Sequence, residues 1–223
     1  MQDPEYVKNA FSKIADRYRV TNHVLSLGTD ILWRKKVGRI VASWQPETIL
    51  DVATGTGDLA LEIQKQCPAA KMTGSDFCPE MLAYATESGV NNTMVVDALE
   101  MPFEDDSYDV LTVAFGLRNM ASWPDALKEM RRVLKPGGHL LILDFSLPKG
   151  VLSKPYSFYL NKVLPKIAGC MTGEKDAYEY LAGTIGEFPS GSAMEDLIAS
   201  CGFTDAASEP LTCGVASIYT ATA

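Results

Sequence analysis

The residues from Ile49 to Asp58 carry the clearest chemical signal in this chain. A short apolar run ends at Asp51 and leads through Thr54-Gly55-Thr56-Gly57 into a segment with helical spacing. This order predicts a strand, a turn and a helix, in which bare backbone can approach a polar ligand at a helix N-terminus. It departs from the dinucleotide-binding pattern G-x-G-x-x-G, because the third glycine position is Ala60 and an acid precedes the turn.

The acid at the strand end distinguishes between ligands. A carboxylate repels a pyrophosphate, whereas it attracts a cationic amino group. S-adenosylmethionine carries such an amino group and no phosphate, so we expect Asp51 to attract it, directly or through water. Thr56 and the exposed backbone amides are expected to hold the methionyl carboxylate. The predicted contact residues of the turn are Asp51, Ala53, Gly55, Thr56 and Gly57. The alternative interpretation is an ordinary glycine-rich turn of an α/β protein.

Two more acids end the next two predicted strands. Asp76 follows the strand-like residues 71–75, and Asp97 follows residues 93–96. Ligands of parallel sheets bind beyond the carboxyl ends of the strands, so we expect Asp76 to bind the ribose hydroxyls and Asp97 the adenine amino group. The other predicted adenine contacts are the Ala98 amide and the apolar side chains of Phe77 and Met81. Each acid alone can equally be a loop carboxylate or a helix cap, but three acids in register indicate one nucleoside site.

The alternation of elements predicts the fold class. Strands and helices alternate from Ile49 to Phe145, which argues for an α/β protein with a parallel sheet covered on both faces. The fifth strand is expected from Leu140 to Phe145, after a turn through Pro136, Gly137 and Gly138. Two closing strands, Phe203 to Glu209 and Ala216 to Ala221, bring the sheet to seven strands. We therefore predict a single domain over residues 1–223, with a Rossmann-like, doubly wound and mostly parallel seven-stranded sheet.

Two helical segments accompany this sheet. Residues 1–45 are predicted to form an N-terminal helical cap, and residues 147–190 a helical insertion after the fifth strand. The insertion carries an apolar stripe from Tyr156 to Ile167 that is too broad for an ordinary surface helix. We interpret it as a lid over the substrate, with plain core packing as the alternative. The spacing of Ser192 and Glu195 predicts a capping box on the next helix.

Composition limits the function classes. The 223 residues are 47% hydrophobic and 22% charged, with a formal net charge of -8 and a pI of about 4.8. Such a chain is globular, and its acidity argues against a nucleic-acid partner, which needs a basic face. The five cysteines lack C-x-x-C spacing and there are two histidines, so no metal site is expected. The chain shows neither a signal peptide nor an apolar run of about 20 residues, and we expect a cytoplasmic protein.

Two further motifs resemble those of a known family. They are Phe115-Gly116-Leu117-Arg118-Asn119 and the run from Arg132 to Leu140. With the turn after Asp51, they are similar to the UbiE family of ubiquinone and menaquinone biosynthesis C-methyltransferases, which are class I S-adenosylmethionine-dependent methyltransferases. The likeness spans nearly the whole chain. It implies methyl transfer to a ring carbon of a polyprenylated benzoquinol or naphthoquinol, with S-adenosylhomocysteine as product and no metal. Ala114 and Phe115 are then expected among the cofactor contacts.

The chain departs from that family at three places. The run Tyr18-Arg19-Val20-Thr21-Asn22 stands where the family usually has Tyr-Asp-x-Met-Asn. Asp30 stands where histidine or glutamine is common, and Asp144 replaces the usual glutamate. The first two changes lie in a region expected to cover the substrate, so they bear on substrate identity more than on chemistry.

Carbon methylation requires an electron-rich ring, which a quinol gains when it loses a hydroxyl proton. A phenol-like pKa of about 10 leaves roughly one molecule in a thousand ionised near neutral pH, a cost of about 4 kcal/mol. Since a guanidinium stays protonated, we expect Arg118 to stabilise the phenolate or to orient a water that acts as the base. Asn119 and Tyr18 are expected to hydrogen-bond the substrate oxygens. The alternative is that Arg118 pairs with a carboxylate such as Asp144.

Two rival functions stay open at this point. One is a methyltransferase for another small apolar or phenolic acceptor, and the other is a non-catalytic S-adenosylmethionine-binding assembly protein. The predicted partner is a polyprenyl quinol, whose tail can lie along the stripe from Tyr156 to Ile167. That stripe also allows a peripheral membrane contact, although the acidic charge argues against strong electrostatic attachment. Whether the chain forms a homodimer is left open.

Overall fold

The structure, a computed structural model, describes Ser12, His23 and residues 26–148, 150–167 and 183–223. These residues form a seven-stranded sheet with helices on both faces. The strands are β1 (Thr48–Val52), β2 (Lys71–Asp76), β3 (Thr93–Val95), β4 (Tyr108–Ala114), β5 (Leu134–Phe145), β6 (Thr204–Leu211) and β7 (Ala216–Thr222). The helices are α1 (Thr29–Ser43), α2 (Asp58–Gln66), α3 (Pro79–Glu87), α4 (Trp123–Val133), α5 (Ser153–Phe158) and α6 (Ser192–Ser200).

The strand order is β3-β2-β1-β4-β5-β7-β6. Strands β1 to β5 pair in parallel, and β7 runs antiparallel to both of its neighbours, β5 and β6. The order reverses between β1 and β4, so a ligand is expected outside the carboxyl ends of these strands. The predicted Rossmann-like, doubly wound and mostly parallel seven-stranded fold is confirmed.

Successive strand residues face two different cores. Leu50 and Leu111 pack on one side with α4 and α6, whereas Ile49 and Val110 pack on the other side with α1 and α2. Because helices cover both faces, the central strands are apolar at nearly every position. This burial holds the carboxyl ends of β1 and β4 at a common edge of the sheet.

Two local expectations are wrong. Strand β5 begins at Leu134, directly after α4, because Leu134 already pairs with Tyr108, whereas the strand was expected from Leu140. Helix α6 lacks the expected capping box, since Gly191 is its N-cap and no side chain caps it. Glu195 accepts its hydrogen bond from a serine of β6 instead.

The expected cap and lid lie partly outside the described residues. Of the cap, most of residues 1–25, which include Tyr18, lie outside them, and of the lid, residues 168–182 do so. Of the lid, the structure describes α5, a π-helical turn at Tyr159–Val163 and helical residues up to 167 and from 183 to 187. None of the helices in the described ranges is long and apolar enough to cross a membrane.

Candidate active site

A cleft opens at the carboxyl ends of β1, β2 and β4. Its empty volume, including the open mouth, is about 900 Å³. The expected site residues that line it are Ala53, Gly55, Asp76, Phe77, Met81, Asp97, Ala98, Ala114, Phe115 and Asn119. The expected residues Asp51, Thr56, Gly57 and Arg118 are buried and do not line it, and Tyr18 lies outside the described residues. In the part of the chain that the structure describes, no group of three or more His, Cys, Asp or Glu side chains is placed to hold a metal ion.

Two residues of the cleft have an unusual backbone conformation. Ala53 after β1 and Phe115 after β4 have φ angles of 53° and 57°, in the left-handed region that residues other than glycine rarely adopt. The backbone N–H of Phe115 donates to the carbonyl of Leu143 at 2.8 Å. Next to it, a Cβ added to Gly116 would lie 2.5 Å from the Cβ of Ala53, so the two strand ends approach closely. Strained backbone of this kind clusters at functional sites, which supports the location of the site.

Asp76 ends β2, and its carboxylate connects two loops. Oδ2 accepts the backbone N–H of Gly55 at 2.8 Å, and Oδ1 accepts that of Cys78 at 2.9 Å. Burial raises the pKa of Asp76, while the backbone hydrogen bonds, led by that from Cys78, act in the opposite direction. The carboxylate thus ties the glycine turn to the start of α3. It also lines the cleft, where two oxygens suit a pair of ligand hydroxyls.

Asp51 is completely buried between neighbouring strands. Thr112 Oγ1 donates to one of its oxygens at 2.5 Å, and Thr54 Oγ1 donates to the other at 2.6 Å. Burial raises the pKa of Asp51 to about 6, although both hydroxyl hydrogen bonds lower it. Asp51 therefore joins β1, the turn and β4. Its expected attraction to a ligand amino group stays a prediction.

Thr56 and Gly57 pack inside the turn. Thr56 is 5% exposed, and its hydroxyl donates to Asp58 at 3.1 Å. Gly57 has a φ of 84°, and a Cβ added to it would lie 2.6 Å from a methyl group of Val90. Both residues thus shape the start of α2, and binding of a ligand carboxylate by Thr56 stays a prediction.

The far side of the cleft combines apolar faces with one carboxylate. Phe77 is 40% exposed and Met81 is 3% exposed, and both line the cleft. Asp97 accepts the backbone N–H of Leu99 at 2.9 Å, which closes a short turn after β3. An apolar surface beside an acceptor fits a flat base that carries an amino group.

Arg118 lies behind the cleft and is 1% exposed. Its Nη1 lies 2.6 Å from Asp144 Oδ1 and donates to the carbonyl of Phe115 at 2.7 Å. Burial raises the pKa of Asp144, and the charge of Arg118 opposes the rise. The pairing with Asp144, offered above as the alternative, is therefore present. Direct contact between Arg118 and a substrate stays a prediction.

Asn119 brings an unsatisfied acceptor to the cleft. Its Nδ2 donates to the carbonyl of Phe115 at 3.3 Å, and its buried Oδ1 has no hydrogen-bond partner among the described residues. Because the carbonyl requires a donor, the amide nitrogen must face it, which leaves the oxygen unpaired. An unpaired buried acceptor costs about 1–3 kcal/mol. A hydrogen bond from a ligand hydroxyl would remove this cost, and such a contact at Asn119 stays a prediction.

Arg34 of α1 lies beside the site, and the sequence does not indicate this position. Arg34 is 8% exposed, and its Cζ lies 5.6 Å from the ring centroid of Phe115. It pairs with Asp30, which also accepts the Ser26 hydroxyl at 2.6 Å and lies 2.7 Å from His23 Nδ1. The i, i+4 spacing of Asp30 and Arg34 is a signal of a helical ion pair, but it does not indicate the cleft. Also missed in the lining were Val52, Cys78, Val96, Leu99, Gly116, Met120 and Ala121.

Comparisons with known proteins find relatives over the full length of the chain. Residues 1–223 match the ubiE/COQ5 methyltransferase family. A demethylmenaquinone methyltransferase from Thermus thermophilus is 42% identical over 94% of this chain and 97% of its own length. A ubiquinone/menaquinone biosynthesis C-methyltransferase UbiE from Bdellovibrio bacteriovorus is 41% identical over 99% of this chain and 97% of its own length. Among solved structures, an S-adenosylmethionine-dependent methyltransferase from Thermotoga maritima has the same fold, with a TM-score of 0.69 at 19% identity over 96% of this chain and 98% of that one.

Proposed function

Because the chain belongs to the ubiE/COQ5 methyltransferase family, and is an S-adenosylmethionine-dependent C-methyltransferase of quinone biosynthesis, we propose that its acceptor is a polyprenylated quinol. The observation that carries the proposal is the family match over the whole chain. Both relatives described above have menaquinone in their names. Menaquinone is a naphthoquinone, so a naphthoquinol is favoured over a benzoquinol as the acceptor.

The cleft fits S-adenosylmethionine by the chemistry of its lining. Asp76 offers acceptors for the ribose hydroxyls, and Phe77 and Met81 offer apolar surface for the adenine. Asp97 offers an acceptor for the adenine amino group. The remaining contacts that we propose are Asp51, Ala53, Gly55, Thr56, Gly57, Ala98, Ala114 and Phe115. When bound, this cofactor supplies an electrophilic methyl group, so the residues of the chain need to bind, orient and exclude water.

The acceptor ring must be oriented and brought towards ionisation. We assign orientation to Asn119, whose buried Oδ1 can accept a hydrogen bond from a quinol hydroxyl. Arg118 is a positioning residue, because it donates a hydrogen bond to the same Phe115 carbonyl oxygen that accepts one from Asn119. Its charge is largely compensated by Asp144, so it lowers the cost of phenolate formation less than a free guanidinium would. Tyr18 is the second proposed contact to the substrate oxygens.

We further propose that residues 1–45 and 147–190 act as a cap and a lid over the acceptor. On the cap side, the ring of Trp33 lies 6.2 Å from that of Phe115 and 6.4 Å from that of Phe145. On the lid side, Tyr156 of α5 is partly buried, and this burial raises the pKa of its phenol to about 12. The partly buried ring of Tyr156 supports binding of an apolar isoprenoid tail under the lid, whereas Trp33 is 4% exposed and packs in the core.

Methyl transfer to reduced naphthoquinols and benzoquinols with short tails, kept in detergent and followed by mass spectrometry, tests the proposal. We expect one added methyl group on the naphthoquinol ring and none on the oxidised quinone, which lacks an electron-rich ring. Methylation of other phenols alone would replace the proposed acceptor. Cofactor binding without transfer to any quinol would instead support a role in assembly.

A further inference from the structure

The helical segment of residues 150–167 has two different sides. Leu160 and Leu164 are 2% and 7% exposed and pack inward. The outward side carries Lys154, Phe158, Lys162 and Lys166, which are all exposed. These four residues recur at every fourth position and therefore lie on one side of a helix. They are called the basic face below.

The basic face is opposite in charge to the chain as a whole. Residues 150–167 contain three lysines and no aspartate or glutamate, while the chain has a formal net charge of -8. Some lysines elsewhere pair with carboxylates, as Lys36 does with Glu209. Within the described ranges, no carboxylate pairs with a lysine of the basic face. The three lysines therefore place positive charge at the exposed surface of the described segment.

Large apolar side chains lie beside these lysines and are exposed to solvent. Phe158 is 65% exposed, and Val151 and Leu152 before it are 92% and 48% exposed. Clustered apolar exposure of this kind indicates an interaction site. The combination with lysines is typical of helices that lie in a bilayer interface, where apolar side chains insert and the long lysine side chains reach the phosphates.

We propose that the basic face, with Val151 and Leu152, docks the protein on an anionic lipid bilayer. The inference rests on the proposed function in one respect, namely that a polyprenylated acceptor lies in a membrane. The other side of the same segment packs inward through Leu160 and Leu164, so the basic face and the interior of the protein lie on opposite sides of it. The rest of the chain carries a net negative charge, so anionic lipid repels it on average, and attraction to the basic face would orient the lid towards the bilayer.

Co-sedimentation of the full chain with quinol-free vesicles tests the proposal. We expect binding to an equal mixture of phosphatidylcholine and phosphatidylglycerol, weakened by salt, and little binding to phosphatidylcholine alone. The triple variant K154Q/K162Q/K166Q should bind the anionic vesicles about 100-fold more weakly, since each lysine near such a surface contributes about fivefold. The variant F158A should bind the anionic vesicles about tenfold more weakly. The control K65Q/K71Q/K128Q removes the same charge from exposed lysines elsewhere and should change binding less than about twofold.

Equal binding by the triple variant and its control would overturn the proposal. The proposal would also be overturned if the triple variant bound vesicles as the wild type does but lost a self-association that the wild type shows in lipid-free sedimentation velocity. The basic face would then contact a second copy of the chain. Methyl transfer in detergent separates this inference from the proposed function. The lysine variants should keep their turnover there, and a wild-type protein that binds vesicles but methylates no quinol would contradict only the proposed function.

Discussion

The side-chain amide of Asn119 donates a hydrogen bond to the carbonyl oxygen of Phe115 at 3.3 Å. Arg118 donates to the same oxygen at 2.7 Å. One carbonyl at the end of β4 thus holds the short 3-10 turn Leu117–Asn119 through two donors. One N–H of the amide is engaged in this way, and the buried Oδ1 of Asn119 has no hydrogen-bond partner among the described residues.

Replacing Asn119 with alanine removes this acceptor from the cleft. We expect Asn119→Ala to lower kcat for quinol methylation about 10-fold to 100-fold, as the loss of one or two hydrogen bonds to a reacting oxygen predicts. The affinity for S-adenosylhomocysteine, measured by calorimetry, should change little. The variant Asn91→Ala, in an exposed loop, is the control. An unchanged kcat with weakened cofactor binding would assign Asn119 to the cofactor instead of the acceptor.

Replacing Asp76 with alanine leaves the N–H groups of Gly55 and Cys78 without their acceptor and removes the proposed ribose contact. We expect the affinity for S-adenosylmethionine to fall at least about 100-fold in calorimetric titrations. Asp76→Asn keeps the shape of the side chain, and its affinity for S-adenosylmethionine should fall at least about tenfold. The exposed turn residue Asp106, with a φ of 55°, provides the control Asp106→Asn, because asparagine tolerates that conformation. Near-native affinity in folded Asp76→Ala would refute the ribose assignment.

The sequence indicates which strand ends supply the site, because strand alternation and glycine turns are local signals. It does not indicate how deep a side chain lies. Asp51 and Asp76 both end apolar runs, so the pattern treats them alike. Asp51 is buried because β4 brings Thr112 beside it from 61 positions away, whereas Asp76 is the last residue of β2 and reaches the cleft.

Arg118 illustrates the same limit. Its motif and the candidate partner Asp144 could be identified, but the choice between pairing and substrate contact depends on how closely β4 and β5 lie. The start of β5 at Leu134 was missed for a different reason, since helix and strand adjoin there without a loop.

Gly116 lies where β1 and β4 approach each other at the cleft. Its φ is negative, so the effect of a larger residue there is steric: an added Cβ would lie 2.5 Å from the Cβ of Ala53. We expect Gly116→Ala to lower the free energy of unfolding by about 1–3 kcal/mol, measured by urea denaturation. Gly186, with no atom within 4 Å of an added Cβ, provides the control Gly186→Ala, which should be neutral or slightly stabilising. Equal free energies of unfolding of the two variants would show that the ends of β1 and β4 can move apart without loss of stability.

Arg118 and Asp144 form a pair that is buried on both sides, 1% and 0% exposed. Removing one partner leaves an uncompensated buried charge, so we expect Arg118→Met and Asp144→Leu each to lower the free energy of unfolding by about 3–5 kcal/mol. In the double variant, the free energy of unfolding should fall by less than the sum of the losses in the two single variants. It will still lose the hydrogen bond from Arg118 to the Phe115 carbonyl. Additive losses in the double-mutant cycle would show that the two charges do not stabilise each other.

Asp51 should make stability depend on pH in a defined direction. Burial raises its pKa to about 6, above the value near 4 of an unfolded chain, so the folded protein binds this proton more tightly. The resulting stabilisation is full below about pH 4 and is lost as the pH rises through about 6, a change of about 3 kcal/mol.

The variant Asp51→Asn keeps a neutral side chain of the same shape and lacks this titration. The difference in free energy of unfolding, wild type minus variant, should therefore fall by about 2 kcal/mol between about pH 4 and pH 7 in urea denaturation. Comparison with the variant cancels the titration of the other carboxylates. A difference that stays constant over this range would mean that folding leaves the proton affinity of Asp51 unchanged, and its burial between β1 and β4 would then not govern its charge.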